Sequence, residues 1–282
     1  MSECPGIAPS GEPTDFEGCL ARVNPSKASL QQLAERPDDT PVIMLNLLRF
    51  RPRGDATIYS MYGREAAPEV EKVGSFVGYY GAVIADLDPA LGFDASYDAV
   101  VMPVYHRRGS YLQLQHSSIY QLVIPYRCAG TSRRTLYVLS DGEKVFQDTH
   151  TVAEMDASRQ SLPTRAGDVY VIDTVRYAGE QGRERFLKWA NSVTPLLQDA
   201  GATAQLSLQP EVPVLSEEYW DHCILTHFPS LEAMTAVYGS RDWQQAQAAR
   251  REALENSITV ATTGMPLPTQ SPGDQARGIT RP

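Results

Sequence analysis

Apolar and polar positions divide the chain into short, densely apolar runs separated by stretches with helical spacing. Residues 42–50 form an apolar run with Asn46 inside it, the pattern of a strand covered on both faces. Across 56–73, Ile58, Met61, Tyr62, Ala66, Val70 and Val73 recur at helical spacing, and Gly74 stands where a terminator belongs. Residues 76–85 and 97–105 predict two strands joined by the loop DLDPALGFDAS. A helix is predicted over 109–129, with Pro125 expected to kink or divide it, and a strand over 135–139 closes the unit.

The same order then recurs. LNLLRF, beginning at Leu45, aligns with IDTVRY, beginning at Ile172, at an offset of 127. Without a gap this offset carries Arg49 onto Arg176, Tyr59 onto Phe186, Tyr62 onto Trp189, Pro68 onto Pro195 and Gly74 onto Gly201. A second block at an offset of 123 pairs Asp98 with Asp221, Tyr120 with Trp243, Gln121 with Gln244 and Arg127 with Arg250, so the first copy is four residues longer between Gly74 and Asp98. The second copy reads as strands over 169–177, 203–208, 219–228 and 257–262, and helices over 182–200, with a kink expected at Pro195, and 230–255. The predicted organisation is an N-terminal extension 1–40, a first repeat 41–139, a linker 140–166, a second repeat 167–264 and a tail 265–282. The ends 1–15 and 266–282, rich in Pro, Gly and polar residues, are expected to be mobile.

Composition narrows the function classes. At 282 residues with 42% hydrophobic content the chain suits two globular units rather than a disordered or fibrous one. A net charge of −9 without a compact basic patch argues against a nucleic-acid binder. The start has neither the basic region nor the apolar stretch of a secretory signal, and no apolar run approaches the roughly 20 residues of a membrane span, so a soluble, cytoplasmic protein is expected. Cys4, Cys19, Cys128 and Cys223 are scattered without C-x-x-C spacing; neither a zinc site nor a disulfide framework is expected from them. The glycine fingerprints of nucleotide sites and the G-x-S-x-G of lipases are absent.

Two βαββαβ halves imply an α+β protein: tandem ferredoxin-like repeats with helices on one sheet face, the other face covered by stacking the repeats on each other within one chain. MLNLLRF at 44–50, APEVEKVG at 67–74 and SIYQLVIPYRCAG at 118–130 resemble the dimeric α+β barrel proteins. The resemblance is to the type called domain of unknown function 1330, related to the antibiotic-biosynthesis monooxygenases. It is good over 41–139 and looser over 168–263, where Asp173 replaces Asn46 and Ala248-Ala249-Arg250 replaces Pro-Tyr-Arg. It implies an intrachain dimeric α+β barrel with a pocket between sheet and helices or inside the barrel, on a scaffold that hosts cofactor-free oxygenases, lactone isomerases, cyclases and haem enzymes.

Asn46 and Asp173 hold one position of the first strand. A desolvated Asp173 suits a general base and Asn46 an orienting group for a substrate carbonyl; the plainer reading of each is a bond to neighbouring backbone. Arg49, Arg176, Arg127 and Arg250 offer forks for a carboxylate or enolate, or ordinary ion pairs. His106 and His227, at strand ends, are acid–base candidates, and His116 a substrate contact or a local hydrogen-bonding residue. The histidine spacings do not form a metal set. Tyr62 and Trp189 place a large aromatic on the first helix of both repeats, and with Tyr105 they suit the wall of a cleft for a planar molecule.

The resulting expectation is a cofactor-independent enzyme of secondary metabolism or catabolism, of monooxygenase, isomerase or cyclase type. It abstracts a proton from a small organic substrate, with Asp173 or His227 as base and Arg and Tyr on the enolate. The alternatives are a non-catalytic ligand-binding barrel and, further off, a haem enzyme with His106, His116 or His227 as axial ligand. No nucleic-acid or membrane partner is expected; an exposed sheet edge pairing two chains is the route to a homodimer.

Overall fold

The computed structural model describes residues 16–36, 39–52, 55–88, 96–146, 149–216 and 218–266. Two short helices come first, α1 (Phe16–Val23) and α2 (Lys27–Ala34). The first repeat runs β1 (Val42–Phe50), α3 (Asp55–Lys72), β2 (Phe76–Asp86), β3 (Ala99–Tyr105), α4 (Arg108–His116), α5 (Ser118–Gly130) and β4 (Thr131–Asp141). After α6 (Val152–Ser158), the second runs β5 (Val169–Tyr177), α7 (Gly179–Asp199), β6 (Thr203–Leu215), β7 (His222–Phe228), α8 (Leu231–Gly239), α9 (Arg241–Ala253) and β8 (Leu254–Gly264).

Each repeat orders its strands alike, β4-β1-β3-β2 and β8-β5-β7-β6, with every neighbour antiparallel. The sheets face each other as expected, but they are also joined at their edges. β2 pairs with β8 and β4 with β6, so the eight strands close into a barrel. Closure corrects one expectation: among the described residues no barrel strand keeps a free edge through which a second chain could be added.

Strand alternation then assigns every residue to a layer. Ile43, Leu45 and Leu47 point inward and share one core with Ile172, Leu225 and Val260 of the other repeat. Each such fully buried aliphatic side chain stabilises the fold by roughly 1.5–3 kcal/mol. Val42 and Met44, with Asn46 two residues on, point outward beneath the helices of the first repeat; Val169 and Val171, with Asp173, do so in the second. The barrel interior is thus packed by side chains, and the polar residues of β1 and β5 belong to the space between sheet and helices.

The duplication is visible bond by bond. Phe50 N donates to Asp98 Oδ2 (2.6 Å) and Tyr177 N to Asp221 Oδ2 (2.8 Å), the pair aligned in sequence. Gly74 and Gly201 both take the left-handed conformation, with φ of +74° and +70°, that lets each chain turn from helix to strand. The predicted long second helices are each two helices. The break falls at Ser117 and Ser240 rather than at Pro125, because these serines hold extended backbone and cap the next helix through Tyr120 N and Trp243 N. Pro125 and Pro195 lie inside α5 and α7. The linker carries a helix of its own, α6, started by a capping box at Thr151 and Glu154. The ends expected to be mobile, apart from Pro266, lie outside the described residues.

Cys19 of α1 and Cys128 of α5 form a disulfide, Cα atoms 5.8 Å apart, which corrects the expectation of unpaired thiols. Their separation of 109 residues carries no local signal. Cys223 is free and buried, its thiol pushed up to about 12 by burial, and is correspondingly unreactive. Among the described residues no helix is long and apolar enough to cross a membrane.

One buried histidine makes stability pH-dependent. Ser207 Oγ donates to the Glu143 carbonyl, which leaves it to accept from His222 Nε2 at 2.8 Å. Burial lowers the His222 pKa from 6.5 to about 4. A lowered folded-state value means stability that is present above 6.5 and lost as pH falls through 4, on the order of 3 kcal/mol. His222→Gln is expected to flatten urea-denaturation stability over that window; an unchanged slope would refute the assignment.

Candidate functional site

In the second repeat the outward-facing position of β5 opens on a cavity of about 250 Å³. Ser240 sets the phase of α9 so that Trp243 and, seven residues on, Arg250 share its inner face. Arg250 is 3% exposed and donates through Nη2 to Asp173 Oδ1 (2.7 Å) and Thr259 Oγ1 (3.1 Å), and through Nη1 to Asp88 Oδ2. Thr259 Oγ1 in turn donates to Asp173 Oδ1 at 2.8 Å. Burial holds the Asp173 carboxyl above the usual carboxylate range; Arg250 and Thr259 oppose this, and the neighbouring Asp88 adds to it. Trp189 of α7 packs edge-on to Trp243, centroids 5.8 Å apart, with the Arg250 guanidinium 5.5 Å from its ring. Tyr238 completes the aromatic wall, and Trp189 Nε1 is buried without a hydrogen-bond partner.

The first repeat builds the same space from different chemistry. Arg127, fully buried, replaces Arg250 in position, but its Nη1 donates to the hydroxyls of Tyr62 and Tyr120, each at 3.1 Å, and its Nη2 to Asn24 Oδ1. Asn46 accepts at Oδ1 from Arg134 Nε (2.9 Å) and Nη2 (2.6 Å), and its Nδ2 donates to the carbonyls of Met44 and Val101. Tyr105 packs edge-on to Tyr111 in the same sheet–helix core. Burial drives the phenols of Tyr59, Tyr62, Tyr105 and Tyr111 upward. For Tyr120 burial has the same sense, but Arg127 and Arg134 together overcome it, and its pKa is lowered.

The predicted residues therefore fall into separate places. Asp173 and Trp189 meet in one cavity, while Asn46, Tyr62, Tyr105 and Arg127 lie packed between the sheet and helices of the other repeat. His227 does not join Asp173: it pairs across the ladder with Tyr170, on the barrel-facing side of the sheet, with Asp173 on the other. Its ring packs on Tyr170 at 5.0 Å, and Nε2 lies 3.1 Å from Asp168 Oδ1 without hydrogen-bond alignment. His106 is solvent-exposed and pairs with Asp156 at 2.6 Å; exposed His116 Nδ1 bonds the Leu112 carbonyl of its own helix. Arg176 forms surface ion pairs with Glu218 (3.6 Å) and Glu255 (3.2 Å), and Arg49 is exposed at the end of β1. None of the three histidines lines the cavity that holds Asp173. Among the described residues no cluster of three or more His, Cys, Asp or Glu could hold a metal ion.

Sequence reasoning missed Asp88, Thr259 and Arg134. The signal for Asp88 was the greater length of the first copy between Gly74 and Asp98: that segment carries Asp88 across to the other repeat's cavity. Arg134 stands where the 123-residue offset places Ser257, a buried Arg against a buried Ser.

A search of curated proteins finds no match. Among solved structures, an anthrone oxidase-like protein is similar over 82% of this chain and 93% of its own, at 11% identity and a TM-score of 0.57, which supports the barrel fold. A chlorite dismutase variant from Candidatus Nitrospira defluvii (84% and 96%, 11% identity, TM-score 0.49) also aligns with it. So does a protein of unknown function from Rhodopseudomonas palustris (42% and 94%, 25% identity, TM-score 0.38). The family finding falls on the second copy, which the sequence motifs placed further from that family than the first: residues 168–263 match the model of the domain of unknown function DUF1330.

Proposed function

We propose that the chain is an oxygenase-type enzyme acting without a bound cofactor on a small, flat organic molecule with an acidic C–H, in the cavity of the second repeat. One observation carries this reading: a buried carboxyl with raised proton affinity, Asp173, faces a tryptophan-lined cavity with a guanidinium 2.7 Å away. Trp189, Trp243 and Tyr238 would hold the planar body. Asp173 takes the proton from carbon, and Arg250, fixed by Asp88, receives the oxygen on which the enolate charge develops. The enolate carbon then adds dioxygen, its electron pair forming the C–O bond; the peroxide takes back the proton from Asp173, and cleavage of its O–O bond with loss of water leaves a carbonyl on that carbon, whereas return of the proton to another carbon would instead complete an isomerisation. His227, His106, Arg49 and Arg176 have no part in this reading.

The test is C–H/D exchange in deuterated buffer, followed by oxygen uptake under air, on a panel of anthrones and acidic ketones. The likeness to an anthrone oxidase-like protein suggests the first probe. Exchange by the wild type that disappears in Asp173→Asn supports the proposal. Saturable binding without exchange would establish a binding protein instead, and exchange abolished by His227→Ala would place the base elsewhere.

A further inference from the structure

We propose that a cavity between α1, α2, β4 and β6 holds a second site, for an organic anion with an apolar body, such as the carboxylate of a small aromatic acid, bound at Arg134. The inference goes beyond the proposed reaction and does not depend on it. In the second repeat the buried Arg250 is balanced by two carboxylates, Asp88 and Asp173. The first repeat buries two guanidinium groups in the matching space, Arg127 at 0% and Arg134 at 7% exposure. Their partners there are all neutral: Asn24, Asn46, the hydroxyls of Tyr62 and Tyr120, and the Val23 carbonyl. Among the described residues neither arginine forms an ion pair, and Arg127 Nε is buried with no partner at all. A buried cation without an anion is costly. A bound anion removes that cost.

The space for it exists. A cavity of about 810 Å³ has Arg134 in its wall, with Arg22 and Arg133 also lining it. The carboxylate in that lining, Glu218, lies 3.6 Å from Arg176 and is engaged there. Leu20 and Leu215 provide apolar wall for the body of the ligand. Arg22 and Arg134 on one cavity of a chain whose net charge is −9 make a local field opposite to that of the molecule as a whole. The Arg fork matches a planar carboxylate.

The experiment is titration of the full chain with 2-naphthoate and with its neutral counterpart 2-naphthalenemethanol, followed by ligand fluorescence and calorimetry. Naphthoate is expected to bind at least about tenfold more tightly than the alcohol, to weaken by about tenfold in Arg134→Gln, and to weaken with added salt. Because Arg134→Gln also removes the donors to Asn46, Arg22→Ala, on the cavity rim, is the second variant, with an expected loss of about threefold. Equal binding of acid and alcohol, no binding at millimolar concentration, or affinity unchanged in both variants would overturn the proposal. So would the ultraviolet signature of an ionised tyrosine in the unliganded protein at neutral pH, since Tyr120 would then supply the balancing charge itself.

Discussion

Arg250→Met is expected to destabilise the protein by roughly 3–5 kcal/mol at pH 7.5, as does removal of one partner from a buried ion network generally. The side chain is 3% exposed, and deleting its charge strands Asp88 and Asp173 beside each other in the same enclosed space. The loss should shrink in acid. Burial already raises the Asp173 pKa, and without the guanidinium it rises further. A carboxyl raised on folding contributes stability that is present below its unfolded value of about 3.9 and lost as pH rises through the folded value. Urea denaturation at pH 5 and pH 7.5 should therefore show the variant gaining on the wild type at the lower pH. A deficit below 1 kcal/mol at pH 7.5, or one of equal size at both, would mean that the triad is not the coupled unit described.

Asp173→Asn should reduce proton abstraction by about 10²–10⁴-fold, the usual worth of a positioned base, with ligand affinity held within a few fold. The protein itself shows that an amide is tolerated there: Asn46 occupies the equivalent position and accepts from Arg134 through the oxygen the carboxylate would use. The variant should keep its fold and its contact to Arg250 while losing the ability to take a proton. In the wild type the rate should rise with pH through the raised Asp173 value and then level off. A variant with wild-type exchange, or a wild-type rate flat across that range, would exclude Asp173 as the base.

The duplication could be read from the chain because each matched pair does a local job that needs its residue type. Gly74 and Gly201 supply a positive φ, Asp98 and Asp221 accept one backbone N–H each, and Tyr62 and Trp189 fill the same helix face. The ring of edge pairings could not be read, because β2–β8 and β4–β6 join segments far apart in sequence. The pairing of Cys19 with Cys128 was hidden for the same reason. The double break of the second helices was mistaken because a proline is a louder local signal than a serine, yet Ser117 and Ser240 provide the caps that start α5 and α9.

His227 and Asp173 illustrate where a residue list stops. Both are plausible bases by type, and each lies on a strand, but the alternation of β5 and β7 sends one inward and one outward. Local order thus fixed the two βαββαβ units, the α+β class and the positions that matter within each, since periodicity, turn chemistry and repeated spacing act over a few residues. Which of those positions meet, that Asp88 crosses to the other repeat, and that one buried arginine is neutralised while two others are not, were settled only by the closed barrel. Charge balance depends on distances across the fold, and spacing along the chain carries no record of them.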